Sequence, residues 1–242
     1  MTSPKTDRPH VPAPVFRLSG DCGLLVEFGT SIDPELNRLT RNVALSLERK
    51  AIPGVMEVVS AYASFLIFYQ PNVVSVSSLQ ETVRQCAQSM QLNQADEGNL
   101  VEIPVCYNQV FGPDLATVAE YNGLSQKEVV QIHTSGHYLL YMFGFAPGFP
   151  YLGGLDPRLH TPRLDTPRPK VAAGSVGIAN NQTGIYPLAS PGGWQIIGRT
   201  PLRLFAPEMP NPVPFYRPGD RLRFVSITES EFHRLAREEH CG

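Results

Sequence analysis

Glycine and proline are concentrated in one stretch of this chain, and that stretch constrains the fold more than any other feature. Between Phe143 and Gly219 there are 11 glycines and 14 prolines in 77 residues, far above their combined background frequency. Short apolar runs recur between them, and glycine permits the backbone angles that tight corners need. This alternation predicts a β-barrel whose short strands read VGIA, GIYPL, WQIIG, LRLF and RLRFV.

The chain before residue 98 follows a different pattern, in which strands alternate with helices. VFRLSG and GLLVEFG predict two strands joined by a turn at Gly20-Asp21. Asp33-Pro34 predicts the start of a helix, because aspartate is a favoured N-cap and proline fits the first helical position. The apolar stripe of this helix consists of Leu36, Leu39, Val43 and Leu47.

Two β-rich runs and a second helix complete this first pattern. The runs span residues 55–62 and 65–69, and the capping box from Ser78 to Glu81 predicts the start of the helix. We therefore predict a small α/β domain over residues 15–97. The proline-rich residues 1–14 that precede it are predicted to be a disordered tail.

Residues 98–242 are predicted to form a second domain, which begins before the barrel strands. VEIPVCY at 101–107 predicts a strand, and one short helix is expected near Pro113–Tyr121. A capping box at Ser125 predicts another helix, which ends near His133. The predicted fold class is α+β, with a small N-terminal α/β domain followed by a β-barrel domain.

Composition argues against several classes of protein. The net charge is −2 and charged residues make up 17% of the chain, so we expect neither nucleic acid nor an anionic membrane as a partner. Four cysteines without a CxxC pair are typical of a reducing cytosol, and no apolar run is long enough to cross a membrane. We therefore expect a cytoplasmic protein. The histidines and cysteines lack metal-ligand spacing, so no metal site is predicted.

A charged segment, DPRLHTPRLDTPRPK at 156–170, lies between two stretches without Asp, Glu, Lys or Arg. It can be a solvated loop between core strands, which is the ordinary role of such a segment. Alternatively, its prolines hold Arg163 and Arg168 in a fixed geometry that suits a bidentate grip on a carboxylate or phosphate. The sequence leaves both interpretations open.

Several single residues also have two interpretations. His133 can be a general acid or base, because the pKa of histidine lies near neutrality, or it can be held at a helix C-terminus by the helix dipole. Gln182, Tyr186 and Ser190 are polar groups in a stretch without charge. They can line a pocket or bond to the backbone at barrel corners. Trp194, the single tryptophan, is expected to be a core or interface anchor.

Residues 193–200 match the spacing of a phosphate-binding P-loop, with Arg199 where that loop has lysine and Thr200 in the next position. A P-loop opens a helix whose N-terminal amides hold the phosphates. Here Pro201 and an apolar run follow, so we predict a strand with a tight Gly-Gly corner. An ATP site must then be built otherwise, with Arg199 and Thr200 as candidates for binding phosphate.

Three long motifs resemble one bacterial family. GFAPGFPYLGGL at 144–155, TPRLDTPRPKVAAGSVGIANNQTGIYP at 161–187 and SPGGWQIIGRT at 190–200 are similar to the signature of the allophanate hydrolase subunit 1 family. This family has carboxyltransferase subdomains C and D, and it includes the B subunit of 5-oxoprolinase and a sporulation-kinase inhibitor. The resemblance implies that the barrel is cyclophilin-like and that His133 belongs to the family's His-Thr pair. The chain has VAAG and PRL where the family usually has VPAG and PRR, so its loop has one arginine fewer.

The resemblance also implies a function. The B subunit of a 5-oxoprolinase acts with the A and C subunits to open 5-oxoproline to glutamate, coupled to ATP hydrolysis. ATP and Mg are then expected in the assembled complex, and this chain alone is expected to be inactive. Two alternatives stay open. One is a subunit of a carboxyltransferase or hydrolase that acts on urea or allophanate, and the other is a regulator that binds and inhibits a sensor histidine kinase.

Overall fold

A computed structural model describes residues 12–90, 98–206 and 214–241 of the chain. The chain divides into two compact units, Met1–Asp96 and Glu97–Gly242. Most of the predicted tail, residues 1–11, lies outside the described residues. The predicted fold class is confirmed, since a small unit of strands and helices precedes a nearly closed barrel. Within the described ranges, no helix combines the length and the apolar character that crossing a membrane requires.

The N-terminal unit is an antiparallel sheet of four strands with two helices packed on it. Its elements are β1 (Val15–Ser19), β2 (Gly23–Glu27), α1 (Pro34–Arg49), β3 (Val55–Ser60), β4 (Ser64–Tyr69) and α2 (Val76–Ser89). The strand order is β1-β2-β4-β3. Leu24 and Val26 of β2 are fully buried in one core with Val43 of α1 and Leu79 of α2. The central strands β2 and β4 therefore turn alternate residues toward the helices.

The first predicted helix is confirmed, and the start of the second is corrected. The Asp33 carboxylate accepts hydrogen bonds from the backbone N–H groups of Glu35 and Leu36, both at 2.9 Å, and so caps α1. Helix α2 begins one turn before the predicted Ser78, because Ser75 is its N-cap. The Ser75 hydroxyl accepts the N–H of Ser78 at 3.2 Å, which adds a turn of backbone hydrogen bonds to the helix.

The C-terminal unit contains the barrel, a two-stranded sheet, three α-helices and a short 3-10 helix (Pro157–Leu159) within its described residues. Strand β5 (Leu100–Val105) and helices α3 (Leu115–Tyr121) and α4 (Gln126–Ser135) come first. The Ser125–Glu128 capping box is present at the start of α4, as predicted. The remaining elements are β6 (Tyr138–Gly144), β7 (Ala146–Gly153), β8 (Arg168–Val171), β9 (Ser175–Ala179), β10 (Gln182–Ile185), β11 (Ser190–Gly192), β12 (Gln195–Arg199), β13 (Arg221–Ser226) and α5 (Glu229–Cys241).

Seven of these strands form the barrel sheet in the order β12-β9-β10-β7-β6-β13-β5. The two end strands meet where Cys106 and Arg199 exchange two backbone hydrogen bonds, of 2.9 and 3.1 Å. A glycine is required beside this closure, because a Cβ on Gly198 would lie 2.7 Å from Cγ1 of Val105. This glycine therefore reflects two strands that approach each other closely at the barrel seam.

Four of the five predicted barrel strands are present, and the fifth is wrong. VGIA, GIYPL, WQIIG and RLRFV overlap β9, β10, β12 and β13. LRLF, by contrast, has irregular backbone. Pro201 lacks an N–H group and the N–H of Leu202 bonds to the Thr200 hydroxyl at 3.2 Å, so strand donors are missing. Burial of Leu204 in the main core explains the apolar character of this run.

Candidate functional site

A cavity of about 280 Å³ opens in the C-terminal unit beside a small apolar cluster that is separate from the main core. We call this cavity the aromatic pocket. Small-molecule sites are commonly concave, mostly apolar and supplied with few polar groups. Its lining residues are Phe145, Phe149, Tyr151, Arg163, Leu164, Pro167, Tyr186, Pro191, Gly192, Gly193 and Trp194.

The hairpin of β6 and β7 supplies one wall of the aromatic pocket. Phe145 is the single residue between the two strands, and the irregular pairing after it lets Phe149 reach the same cavity. The Phe149 ring lies at the centre of an edge-to-face cluster, 5.3 Å from Tyr186, 5.4 Å from Trp194 and 5.4 Å from Phe145 between centroids. These contacts fix the ring orientations of the wall.

Tyr186 supplies a buried polar group to the pocket at the end of β10. A Cβ on Gly192 would lie 2.3 Å from the Tyr186 hydroxyl oxygen, so only glycine fits beside it. Burial raises the pKa of Tyr186, and this rise is opposed first by a hydrogen bond to the hydroxyl from the backbone of Trp194 and then by the positive charges of Arg163 and Arg168. The hydroxyl therefore stays protonated at neutral pH and can donate a hydrogen bond to a ligand.

Arg163 carries the single charge among the described lining residues of the aromatic pocket. Its guanidinium makes no hydrogen bond or ion pair with residues 12–90, 98–206 or 214–241. The side chain is exposed at the mouth of an otherwise apolar cavity. An arginine in this setting can bind a carboxylate bidentately, with the apolar wall next to the rest of the ligand.

Arg168, the second predicted anion-binding arginine, is engaged within the protein. Its Nη2 donates to Oδ1 of Asp114 at 2.6 Å, and its Nη1 donates to the Trp194 carbonyl at 3.4 Å. Oδ2 of Asp114 accepts the N–H of Ile196 at 2.6 Å. This arrangement joins β8, β12 and the start of α3 behind the pocket wall. Arg168 thereby holds Trp194 in place while its charge is neutralised by Asp114.

His133 lies in the barrel core and not at the aromatic pocket. It is fully buried, and its ring stacks on Phe224 with centroids 4.4 Å apart. The Thr183 hydroxyl donates to the carbonyl of Gly177 at 3.0 Å, so it accepts from Nε2–H of His133, also at 3.0 Å. Nδ1 then accepts the hydroxyl of Tyr107 at 2.7 Å.

Burial lowers the pKa of His133 to about 3. The imidazole is therefore neutral at physiological pH, and both ring nitrogens already have partners within the protein. These contacts favour the structural interpretation of this histidine. Its role as a general acid or base stays a prediction.

The other predicted site residues do not line the aromatic pocket. Ser190 precedes the lining residue Pro191, and its buried hydroxyl oxygen has no hydrogen-bond partner in the described part of the chain. Arg199 donates Nε–H to the Ala173 carbonyl at 2.8 Å. Thr200 follows the last residue of β12, and Gln182 is the first residue of β10. Of the predicted residues, the structure thus brings together Arg163 and Tyr186 at the pocket, with Arg168 behind it.

Residue-by-residue reasoning did not identify Phe145, Phe149 or Asp114 as parts of the site. The two phenylalanines belong to a motif that carried the family resemblance, and that was the available signal. Asp114 pairs with an arginine 54 positions away, and a single sequence contains no signal for such a contact. Core packing and pocket lining also require the same residue types in this segment.

Comparisons with known proteins give a consistent picture. Residues 14–215 match the family described as carboxyltransferase domain, subdomain C and D. The B subunit of 5-oxoprolinase from Bacillus subtilis (strain 168) is 43% identical over 231 residues, which cover 91% of this chain and 96% of that protein. The protein of the same name from Escherichia coli O157:H7 is 47% identical over 180 residues, 74% of this chain and 78% of that protein. The crystal structure of TTHA0988 superimposes on this chain with a TM-score of 0.76 and 38% sequence identity. The match covers 85% of this chain and 40% of that chain.

Proposed function

The chain belongs to the family of the carboxyltransferase domain, subdomain C and D, and we propose that it acts there as the B subunit of an ATP-dependent 5-oxoprolinase. Two relatives that bear the name of this 5-oxoprolinase subunit, at 43% and 47% identity, support the assignment. The reaction converts 5-oxoproline, ATP and water to glutamate, ADP and phosphate. The chain is a component of a hydrolase system and requires partner subunits, which we propose to be the A and C subunits of the same 5-oxoprolinase.

The single observation that supports this function most is the composition of the aromatic pocket. 5-oxoproline is a small five-membered lactam ring that carries one carboxylate. The pocket offers apolar ring faces for the lactam, the guanidinium of Arg163 for the carboxylate and the neutral hydroxyl of Tyr186 for a carbonyl oxygen. The ring, the carboxylate and a carbonyl oxygen of the substrate therefore each have a chemically matching group in the pocket.

The contribution of this chain to the reaction is positioning and neutralisation of charge. Phosphorylation of the lactam oxygen would turn an unreactive amide oxygen into a leaving group. Arg163 would hold the carboxylate, and the aromatic wall would fix the ring and exclude water from it. A fixed orientation of this kind can contribute several orders of magnitude to a rate without any covalent step on the chain itself.

The segment with P-loop spacing does not form a P-loop. Gln195–Arg199, inside the segment with P-loop spacing, forms strand β12, and this strand pairs with β9. The helix N-terminus that a P-loop requires is therefore not formed there. We propose that ATP and Mg bind in the assembled complex.

Reconstitution tests the proposed function. The purified chain alone should show no ATP hydrolysis that depends on 5-oxoproline, and no release of glutamate. Both activities should appear when its cognate A and C subunits are added. Robust 5-oxoproline-dependent ATP hydrolysis by the isolated chain, or an inactive complete complex, would contradict the proposal. Stable binding to a histidine-kinase dimerisation domain without any effect on 5-oxoproline turnover would select the regulatory alternative.

A further inference from the structure

We propose that Phe145 is a ligand-contacting wall of the aromatic pocket and that the chain keeps a strained backbone there in order to present its ring. This inference rests on the proposed function, because the ligand is taken to be 5-oxoproline. Phe145 lies in the long motif at 144–155, and the resemblance to the family does not by itself say what this residue does.

The backbone of Phe145 is left-handed, with φ of +61°. Strand β6 ends at Gly144 and β7 begins at Ala146, and these two neighbours are paired across the single residue between them. A bulky side chain is an outlier in this region, because its Cβ approaches the backbone too closely. Glycine is the residue that such a position normally selects.

Burial compensates little for this strain. The Phe145 side chain is 62% exposed, so it contributes little burial to the fold. Its ring nevertheless lines the aromatic pocket, with centroids 5.4 Å from Phe149 and 6.1 Å from Tyr186. Strain that is retained with little gain in burial is characteristic of functional sites. The two observations together point to a ring that is presented for a ligand.

Within the described ranges, Phe145 is the one bulky residue among the three non-glycine residues with positive φ. Asn180, at φ +53°, is a residue type that tolerates this conformation, and it lies in the turn between β9 and β10. Ala51, at φ +45°, follows the end of helix α1 and carries only a methyl group. Ala51 offers a matched control, because a glycine there would relieve strain in the other unit.

Phe145 and Arg163 line the same cavity, and they suit different parts of 5-oxoproline. The guanidinium of Arg163 pairs with the carboxylate, and the Phe145 ring covers one face of the lactam. Binding would then bury a ring that is exposed in the free protein, which supplies apolar contact area for the ligand. The contact that would compensate for the backbone strain is therefore made only when the ligand is bound.

Two substitutions separate the ring from the strain. Phe145→Ala removes the ring and keeps a Cβ in the left-handed region, whereas Phe145→Gly removes both. We expect both variants to bind 5-oxoproline about tenfold more weakly or worse. Phe145→Gly should melt about 2–4 °C above Phe145→Ala. Ala51→Gly should likewise raise the melting temperature, and it should leave binding unchanged.

Binding can be followed in the isolated chain through the fluorescence of Trp194, the single tryptophan, which lines the pocket. The assembled complex gives a second readout, in which KM for 5-oxoproline should rise about tenfold in both variants while kcat changes less. Where the isolated chain gives no fluorescence change, KM in the complex decides.

Four outcomes would overturn the inference. Wild-type affinity and KM in both variants would show that the ring does not contact the ligand, and would leave the proposed function standing. A Phe145→Gly melting temperature no higher than that of Phe145→Ala would show that the backbone is not strained. Failure of the variants to assemble with the A and C subunits would make Phe145 an interface residue. A wild-type complex without 5-oxoproline turnover would remove the proposed function itself, and this inference with it.

Discussion

The barrel core around His133 and the aromatic pocket both place polar groups among apolar side chains, with opposite results. In the core, Tyr107, His133 and Thr183 form a chain of hydrogen bonds in which each imidazole nitrogen has a partner. In the pocket, the guanidinium of Arg163 makes no hydrogen bond or ion pair with the described part of the chain. A polar group whose hydrogen-bonding positions are all occupied within the protein is saturated and has no capacity left for a ligand. A group with unoccupied positions retains that capacity. Saturation therefore distinguishes a structural polar residue from a binding one here.

Charge separates the two regions in the same way. Burial keeps the His133 imidazole neutral, because a charged ring in the core would lose its hydration. Arg163 keeps its charge at a cavity mouth that water reaches. A neutral, satisfied histidine stabilises one fold, while a charged, unpaired arginine is available to recognise an anion.

The largest expected effect comes from replacing the histidine of the core. His133→Gln removes the ring that stacks on Phe224 and disturbs both hydrogen bonds. We expect the free energy of unfolding to fall by about 2–4 kcal/mol, while kcat of the assembled complex stays within about threefold of wild type. Chemical denaturation of the chain and turnover by the complex measure the two quantities. Unchanged stability with kcat lowered by about 10²–10⁴-fold would instead make His133 an acid or base.

The pH dependence of stability provides a smaller and more specific effect. The pKa of His133 is about 3 in the folded chain, and an unfolded histidine titrates near 6.5. Between these values the unfolded state binds more protons, so the free energy of unfolding decreases as pH falls below about 6.5. This single group should contribute a loss of about 2 kcal/mol between pH 7 and pH 5.

Comparison with His133→Gln isolates that contribution, because the variant retains every other titrating group. The stability advantage of the wild type over the variant should therefore shrink as pH is lowered from 7 to 5, as measured by denaturation at each pH. An advantage that stays constant over this range would mean that the imidazole is not held neutral in the folded chain.

Local structure was predictable where the signal lies within a few neighbouring residues. Asp33-Pro34 and the Ser125 capping box indicated helix starts correctly, because capping depends on groups two or three positions apart. Ser78 was a wrong start because Ser75 offers the same chemistry one turn earlier. Helix α5 was not predicted at all. LRLF was predicted to be a strand, but it is apolar because Leu204 is buried in the core. Over only four residues, an alternating apolar pattern does not distinguish a strand from an irregular segment with one buried side chain.

The site was predictable only in part, because its key contacts join distant segments. The proline-rich loop indicated two equivalent arginines, yet Asp114 pairs with Arg168 and leaves Arg163 available. That difference depends on the register of β8 beside β11 and on the position of α3. His133 is similar, since its partner Thr183 lies 50 positions away. Saturation of a polar group is a property of the folded chain that its sequence neighbourhood does not specify.

The smallest expected effect distinguishes the two arginines, and it tests the pocket side of the comparison most directly. Arg163→Lys keeps the charge and loses the planar fork, so kcat/KM for 5-oxoproline should fall about tenfold, which is about 1.4 kcal/mol, without a change in melting temperature. Arg168→Lys should instead lower the melting temperature, because lysine does not reproduce the link to Asp114 and Trp194.

Arg158→Lys is the matched control, since Arg158 is exposed in the same loop and bonds only locally to Asp156. It should change neither quantity. Equal kinetics for wild type and Arg163→Lys would remove Arg163 from the binding site, and the charged loop would then be the solvated segment that its composition also allows.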